Sequence, residues 1–394
     1  MPWQERRCQE SKMKDLQTWN DSISYQMLKR AANMVGIEKF GVTSASPFHT
    51  LVPFLESYYQ EGRDTGFEHP MSELRWNPRA YFPEAMSIIA VAVPYQTKRS
   101  REMRHPPGRT GIVSRYAWGQ DYHVVLKEQL EQLSMKIADL SKCAVKGVAC
   151  VDTSPLVDRA IALRAGIGWI GKNGMLITKE YGSYVFLGAL LTNVSIEPEP
   201  TSAAPIDDCG ECTLCLQACP TGALLDQGRL DGKKCLSGIT QFKGMIPEEY
   251  RPKLGRRIWG CDTCQTVCPK NQHTLVSMRE AFEPDLELGF PDLKALLHIS
   301  GRQFKRLYGH TAAAWRGHQV IRRNAIIALA NAGDLSAVPD LLQLLSDPRP
   351  EIRGSAAWAL HRLAPDTSRE SVFSALQKES VEEAKKEMIW SLDC

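Results

Sequence analysis

Three observations predict an α+β chain in three parts. Helix and strand patterns alternate up to about residue 195, eight cysteines crowd the centre, and a helical pattern repeats near the C-terminus. At 394 residues the chain is long enough for two or three domains. Hydrophobic residues make up 43% and charged residues 24%, as in ordinary globular proteins. No apolar run reaches the roughly 18 residues of a membrane span, so no membrane association is expected. A net charge of +3 says little about partners.

The N-terminal part begins after a start, residues 1–21, whose arginine pair is followed by Cys8, Gln9, Glu10, Ser11 and Lys12 where a secretion signal would be apolar. It reads as a flexible leader of a cytoplasmic protein. Ile23, Met27, Ala31 and Met34 fall at helical spacing, and Gly36 stops that helix before the strand-like FGVT from Phe40. SIIAVAVPY (87–95) is a buried-strand pattern, and DYHVVLKEQLEQLSMKIADL from Asp121 is a long amphipathic helix. GVACVD delivers Asp152 at a strand end, Asp158 to Ile167 is helical, and YVFLGALLTN from Tyr184 is another strand. Together these predict an α/β domain over 22–195. No GxGxxG follows the first strand, which disfavours a Rossmann nicotinamide site. The glycines at 166, 168, 171 and 174 are expected to allow close backbone approach to a large planar ligand.

A proline-rich hinge, IEPEPTSAAPIDD, leads into the cysteine region, and EPDLELGFPDL closes it near residue 290. Cys209, Cys212, Cys215 and Cys219, followed by Pro220, spell C-x2-C-x2-C-x3-C-P, the bacterial ferredoxin run whose fourth cysteine reaches the other cluster. The partner run is Cys235, Cys261, Cys264 and Cys268, followed by Pro269. Residues 196–290 are thus predicted to hold two [4Fe-4S] clusters, one on Cys209, Cys212, Cys215 and Cys268, the other on Cys219, Cys235, Cys261 and Cys264. Zinc also uses CxxC pairs, but its sites do not usually carry three cysteines at two-residue gaps with a C-P pair in each half. Cys8, Cys143, Cys150 and Cys394 lie outside the pattern and read as ordinary thiols.

Residues 291–394 are expected to be helical. Arg322 and Ala325 to Ala330 recur as Arg353 and Ala356 to Leu360, and paired helices around AxPxLxxLLxD resemble a HEAT-type repeat. So short a repeat cannot fold alone and is expected to pack on the cluster domain. From Leu293 to Gly333 there is no acidic residue, whereas Lys294, Arg302, Lys305, Arg306, Arg316, Arg322 and Arg323 occur among Phe304, Tyr308, Trp315 and three histidines. Such a stretch attracts phosphates, and its aromatics can stack on unpaired bases. Arg316, Arg322 and Arg323 are the candidates for RNA binding.

VDTSPLVDRAIALRAGIGWIGKN, SRYAWGQDYH (114–123), GCDTCQTVCP and YGHTAAAWRG together resemble epoxyqueuosine reductase, the cobalamin-dependent enzyme family of queuosine-tRNA synthesis, and the likeness runs from about residue 22 to 390. The resemblance implies cobalamin in the N-terminal domain and an epoxide on the wobble base of tRNA with a GUN anticodon. The anticodon stem-loop would be held by the C-terminal repeats, and an unidentified low-potential donor would supply electrons to a monomer. It assigns Asp152 as proton donor, with a pKa expected to be raised beside a cofactor whose corrin face excludes water, so that it stays protonated near neutrality, and leaves Asp158 as a cap and ion-pair residue. Cobalamin contacts carried over fall on Arg75, Ser114, Asp152, Asn173, Leu176 and Leu187, with Ser237, Gln241, Asp262 and Thr263 from the cluster domain. Lys172 and Arg115 are further candidates to neutralise its phosphate or orient its amides. Two other readings compete. A corrinoid reductive dehalogenase typically carries a twin-arginine export signal and lacks the repeats; a non-enzymatic ferredoxin-like carrier leaves the N-terminal domain without a role.

Overall fold

The computed structural model describes residues 22–199 and 209–393. The leader over 1–21, most of the proline-rich hinge, Cys8 and Cys394 lie outside the described residues. Ser24 starts helix α1 (Tyr25–Met34) by accepting the Met27 N–H. The stripe that α1 buries is Leu28, Ala31 and Ala32, rotated from the expected one, and Met34 is 61% exposed. Strands β1 (Phe40–Ser44), β2 (Ser87–Pro94), β3 (Gly147–Cys150) and β4 (Val185–Thr192) form one sheet in the order β1-β2-β4-β3. Every neighbour in it is antiparallel, β2 and β4 pairing from Ser87 opposite Thr192 to Pro94 opposite Val185. The N-terminal part is therefore α+β without βαβ crossovers, which removes the geometry a Rossmann site needs.

Each residue of β2 is buried because both sheet faces are covered. Helix α2 (Tyr122–Ser141) lays Leu126, Leu130, Leu133 and Ile137 with α1 on one face. Gly188 of β4 lets that helix approach, since a Cβ there would meet Leu130 at 3.2 Å. The other face packs Leu156, Ile161 and Ala162 around helix α3 (Asp158–Arg164).

The cysteine region is short helices and loops. It joins the N-terminal part through a parallel pairing of Arg257–Trp259 with Ile112–Val113, where Ser114 N–H donates to the Trp259 carbonyl at 2.8 Å. The C-terminal part stacks helices α4 (Gly301–Tyr308), α5 (His318–Ala332), α6 (Val338–Leu344), α7 (Pro350–Leu363), α8 (Pro365–Lys378) and α9 (Glu382–Asp393). One apolar core runs from Leu254, Ile258 and Trp259 of the cysteine region through Ala325, Leu329 and Ala356 to Met388, so the repeats share their core with the cysteine region. The repeated arginines play equivalent parts: Arg322 pairs with Asp347 at 2.8 Å and Arg353 with Glu379 at 2.5 Å, each tying its helix to the end of the following one. Among the described residues no helix is long and apolar enough to cross a membrane.

Candidate active site and cluster centre

Asp152 follows β3 in a left-handed conformation (φ 53°), a state short polar residues tolerate better than most. Its Oδ2 accepts the Tyr122 hydroxyl at 2.8 Å and faces His123 Nε2 at 3.4 Å. His123 Nδ1 lies 2.7 Å from Asp121 Oδ1, and the same oxygen accepts the His123 backbone N–H at 3.0 Å, capping α2. One helix start thus supplies a carboxylate, an imidazole and a phenol to the acid at the end of β3. The Asp152 side chain is 65% exposed.

The protein alone acts on Asp152 in two opposing ways. Burial works to raise its pKa, but the His123 and Tyr122 hydrogen bonds outweigh it and hold the carboxyl below its ordinary value. Burial likewise works to lower the His123 pKa, but hydrogen bonds to Asp121 and Asp152 push it up to about 9. Near neutrality the proton therefore sits on His123, directed at Asp152. Sequence reasoning did not single out His123; the signal was present in SRYAWGQDYH, where Asp121 caps a helix and puts His123 in its first turn.

Asp158 is no cap: Val157 occupies that position, and Asp158 instead accepts the Asp152 backbone N–H at 2.9 Å. Beside it, Arg75 is buried and donates to the Pro155 carbonyl at 2.8 Å, while its Nε has no partner among the described residues. Asn173 is similar, with Oδ1 accepting the Met175 N–H and a buried Nδ2 left unpartnered. Arg115 Nε and Ser154 Oγ are also buried without partners. Buried polar atoms are rarely left unsatisfied, so these groups, with Ser154 two residues from Asp152, Arg115 beside Asp262 and Asn173 in the cavity that Cys209 lines, suit a polar, amide-rich ligand.

Ser114 Oγ donates to Asp262 Oδ1 at 2.5 Å and the Arg115 N–H to Oδ2 at 2.8 Å. Asp262 thereby joins the N-terminal wall to the loop bearing Cys261 and Cys264. Thr263 Oγ1 lies 3.2 Å from Cys261 Sγ, and Gln241 Nε2 donates to the Ser237 carbonyl. Leu176 is buried in a two-stranded ribbon with Trp169–Ile170, and Leu187 is half-buried in β4 opposite Ala92. Lys172 turns toward the cysteines, donating to the Gly210 carbonyl at 2.8 Å. The glycine expectation needs correction: a Cβ at Gly168 or Gly171 would collide with Ile177, so both serve protein packing, while Gly166 and Gly174 make left-handed turns.

Cys209, Cys212, Cys215 and Cys268 line one cavity together with Lys172, Asn173 and Lys270. Cys235 and Cys264 feel the charge of Cys261, and Cys235 also that of Cys219, which places those four thiols in a second group. The first group surrounds a space; among the described residues no group of three or more His, Cys, Asp or Glu side chains is placed to hold a single metal ion. Four thiols around a cavity fit a cluster of several atoms. Cys150 is buried, its thiol pushed up to about 12 by burial and unsuited to nucleophilic work.

The arginine candidates separate. Arg323 is 1% exposed and donates to the Phe242 and Gly244 carbonyls at 2.6 Å, fastening α5 to the cysteine region. Arg322 donates to the Leu297 carbonyl and pairs with Asp347. Neither faces outward, which corrects their assignment to RNA. Arg316 remains at the surface, 3.7 Å over the ring of Trp315 and 4.3 Å over Phe67. Trp315 is 53% exposed, and its Nε1 donates to Gln241. Phe304 and Tyr308 are buried, whereas Arg302, Lys305 and Arg306 on α4 are exposed.

Residues 75–153 match the family model "Epoxyqueuosine reductase QueG, DUF1730", residues 208–271 a "4Fe-4S double cluster binding domain" and residues 312–393 "HEAT repeats". An epoxyqueuosine reductase of Bacillus cereus is 48% identical over 358 residues, covering 90% of this chain and 93% of that protein. A solved epoxyqueuosine reductase with a tRNA-Tyr epoxyqueuosine-modified stem loop superposes with a TM-score of 0.88 at 44% identity, covering 93% of this chain and 97% of that one. The Bacillus subtilis enzyme, described with an aspartate catalytic loop swung out of its active site, superposes with a TM-score of 0.87 at 43% identity, covering 93% and 98%. With the acid wall, the thiol groups and the helical repeats in one architecture, the chain belongs to the epoxyqueuosine reductase family of oxidoreductases.

Proposed function

We propose that this protein reduces the epoxide of epoxyqueuosine at the wobble position of a GUN-anticodon tRNA to the alkene of queuosine. The epoxide oxygen leaves as water, with two electrons and two protons consumed. Residues 22–195 are read as the cobalamin and catalytic domain, 196–290 as the two-cluster domain and 291–394 as the RNA-binding domain of a cytoplasmic monomer fed by a low-potential electron donor.

The observation that carries this reading is the set of buried polar atoms on Arg75, Arg115, Ser154 and Asn173 without partners among the described residues, together with the Asp262 bonds that join Ser114 and Arg115 to the cysteine loop. Cobalamin, ringed by amides and carrying a phosphate, is a ligand such groups can satisfy, and Arg75, Ser114, Asn173, Leu176, Leu187, Ser237, Gln241, Asp262 and Thr263 are the residues proposed to hold it. When bound, it supplies reduced cobalt as the soft nucleophile or electron donor that opens a strained epoxide, fed one electron at a time by the two [4Fe-4S] clusters.

The chain's own residues manage protons. The opening ring develops alkoxide character, which an acid must meet. Asp152 hands on the proton that His123 Nε2 carries toward its Oδ2, Asp121 holds the imidazole by Nδ1, and Tyr122 fixes the carboxylate. The visible spectrum of anaerobically purified protein with added cobalamin tests the cofactor reading: a corrinoid signature is expected beside the iron–sulfur absorption, weakened in Arg75→Ala. Iron–sulfur absorption alone at saturating cobalamin overturns it.

A further inference from the structure

We infer that Asp158 is a positioning residue for the proton-donating loop: its carboxylate holds the Asp152 backbone in the left-handed conformation that brings the Asp152 carboxyl to His123 and Tyr122. This rests on the reading of Asp152 as the acid.

Four observations carry it. Asp152 has φ 53°, a conformation that a residue with a side chain keeps only when its surroundings impose it. Its backbone N–H donates to Asp158 Oδ2 at 2.9 Å, across six residues and from outside α3. The carboxyl does not cap its own helix, and its Oδ1 is buried without a partner among the described residues. The rest of the loop is anchored elsewhere: Val151, Ser154 and Leu156 are buried, the Pro155 carbonyl is held by Arg75, the Thr153 hydroxyl donates to the Val151 carbonyl and the Thr153 carbonyl faces His69 Nε2 at 3.2 Å, so the Asp152 N–H is the backbone group of the exposed tip that Asp158 holds.

The arrangement works against electrostatics. Burial, then the charge of Asp152, push the Asp158 carboxyl up to about 7, while Arg75 and Arg159 oppose them. Two acids that repel are joined because one binds the other's backbone. With its pKa at about 7 the Asp158 carboxyl is about half ionised at neutrality, and its Oδ2 can accept the Asp152 N–H in either form, a hydrogen bond able to hold a strained tip. Without it Asp152 relaxes toward negative φ and its carboxyl turns away from His123.

Asp158→Ala and Asp158→Asn, each reconstituted with clusters and cobalamin, separate the hydrogen bond from the charge, because the asparagine carbonyl still accepts the N–H. Asp158→Ala is expected to speed amide deuterium exchange across 151–157 on the order of ten- to a hundredfold. It should also slow kcat on a modified stem-loop about as much, with KM within about threefold. Asp158→Asn should stay near wild type in both. Wild-type exchange and kcat in Asp158→Ala, or equal damage in Asp158→Asn, overturns the assignment. Should Asp158→Ala fail to fold, Asp158→Asn decides alone: retained protection of 151–157 supports the role and lost protection refutes it. Wild-type turnover in Asp152→Asn would remove the acid reading, while the exchange measurement would still decide whether Asp158 holds the loop.

Discussion

His123 Nε2 faces Asp152 Oδ2 at 3.4 Å, across 29 residues of sequence, so that the start of one helix and the end of one strand form a single acid unit. In Asp152→Asn the last member of that unit cannot pass on a proton. Epoxide reduction is expected to fall by about a hundredfold or more, with iron content and the cobalamin spectrum unchanged. Full turnover rules out the assigned acid.

His123 sets a pH dependence. Its pKa, pushed up to about 9, keeps it charged through neutrality, so turnover should decline as pH rises through about 9, and that limb should vanish in His123→Gln. The sign for stability is the same. The folded pKa lies above the ordinary 6.5, so the contribution of these ion pairs is complete below about 6.5 and is lost as pH rises through about 9. Thermal melts of wild type and His123→Gln across that range should converge at the alkaline end.

Cys268 closes the group begun by Cys209, Cys212 and Cys215. Replacing Cys268 with alanine should cost roughly half of the bound iron and spare the cluster of the other four thiols. Iron analysis with electron paramagnetic resonance of the reduced protein reads this directly. Loss confined to the cluster built by Cys219, Cys235, Cys261 and Cys264 contradicts the grouping.

Arg316 and Arg323 should part company. Arg316→Ala together with Trp315→Ala should weaken stem-loop binding and reduce the salt slope by about one, leaving the melting temperature near wild type. Arg323→Ala leaves buried carbonyls unpaired and should cost about 2–4 kcal/mol of stability, with an unaltered salt slope. Fluorescence titration at several salt concentrations, paired with thermal melts, separates the two.

What was legible in the sequence is what its short-range spacing encodes. The cysteine runs marked the double-cluster region, and the apolar runs at 87–94 and 185–192 marked the two central strands. Their antiparallel order was not legible, since pairing is decided by partners a hundred residues apart. Arg322 and Arg323 misled because the acid-free stretch they occupy receives its acceptors from elsewhere, Asp347 for one and the carbonyls of Phe242 and Gly244 for the other. Lys294 likewise finds Asp340. Asp152 was found by resemblance, but its partners were not legible because Tyr122 and His123 lie on another element.

The most direct test of the account is anaerobic incubation of epoxyqueuosine-containing tRNA with the reconstituted protein, cobalamin and a strong reductant, followed by nucleoside mass analysis. The account predicts conversion to queuosine with the loss of one oxygen, dependent on added cobalamin and abolished in Asp152→Asn. Unchanged epoxyqueuosine with both clusters and cobalamin bound, or equal conversion without cobalamin, would contradict it.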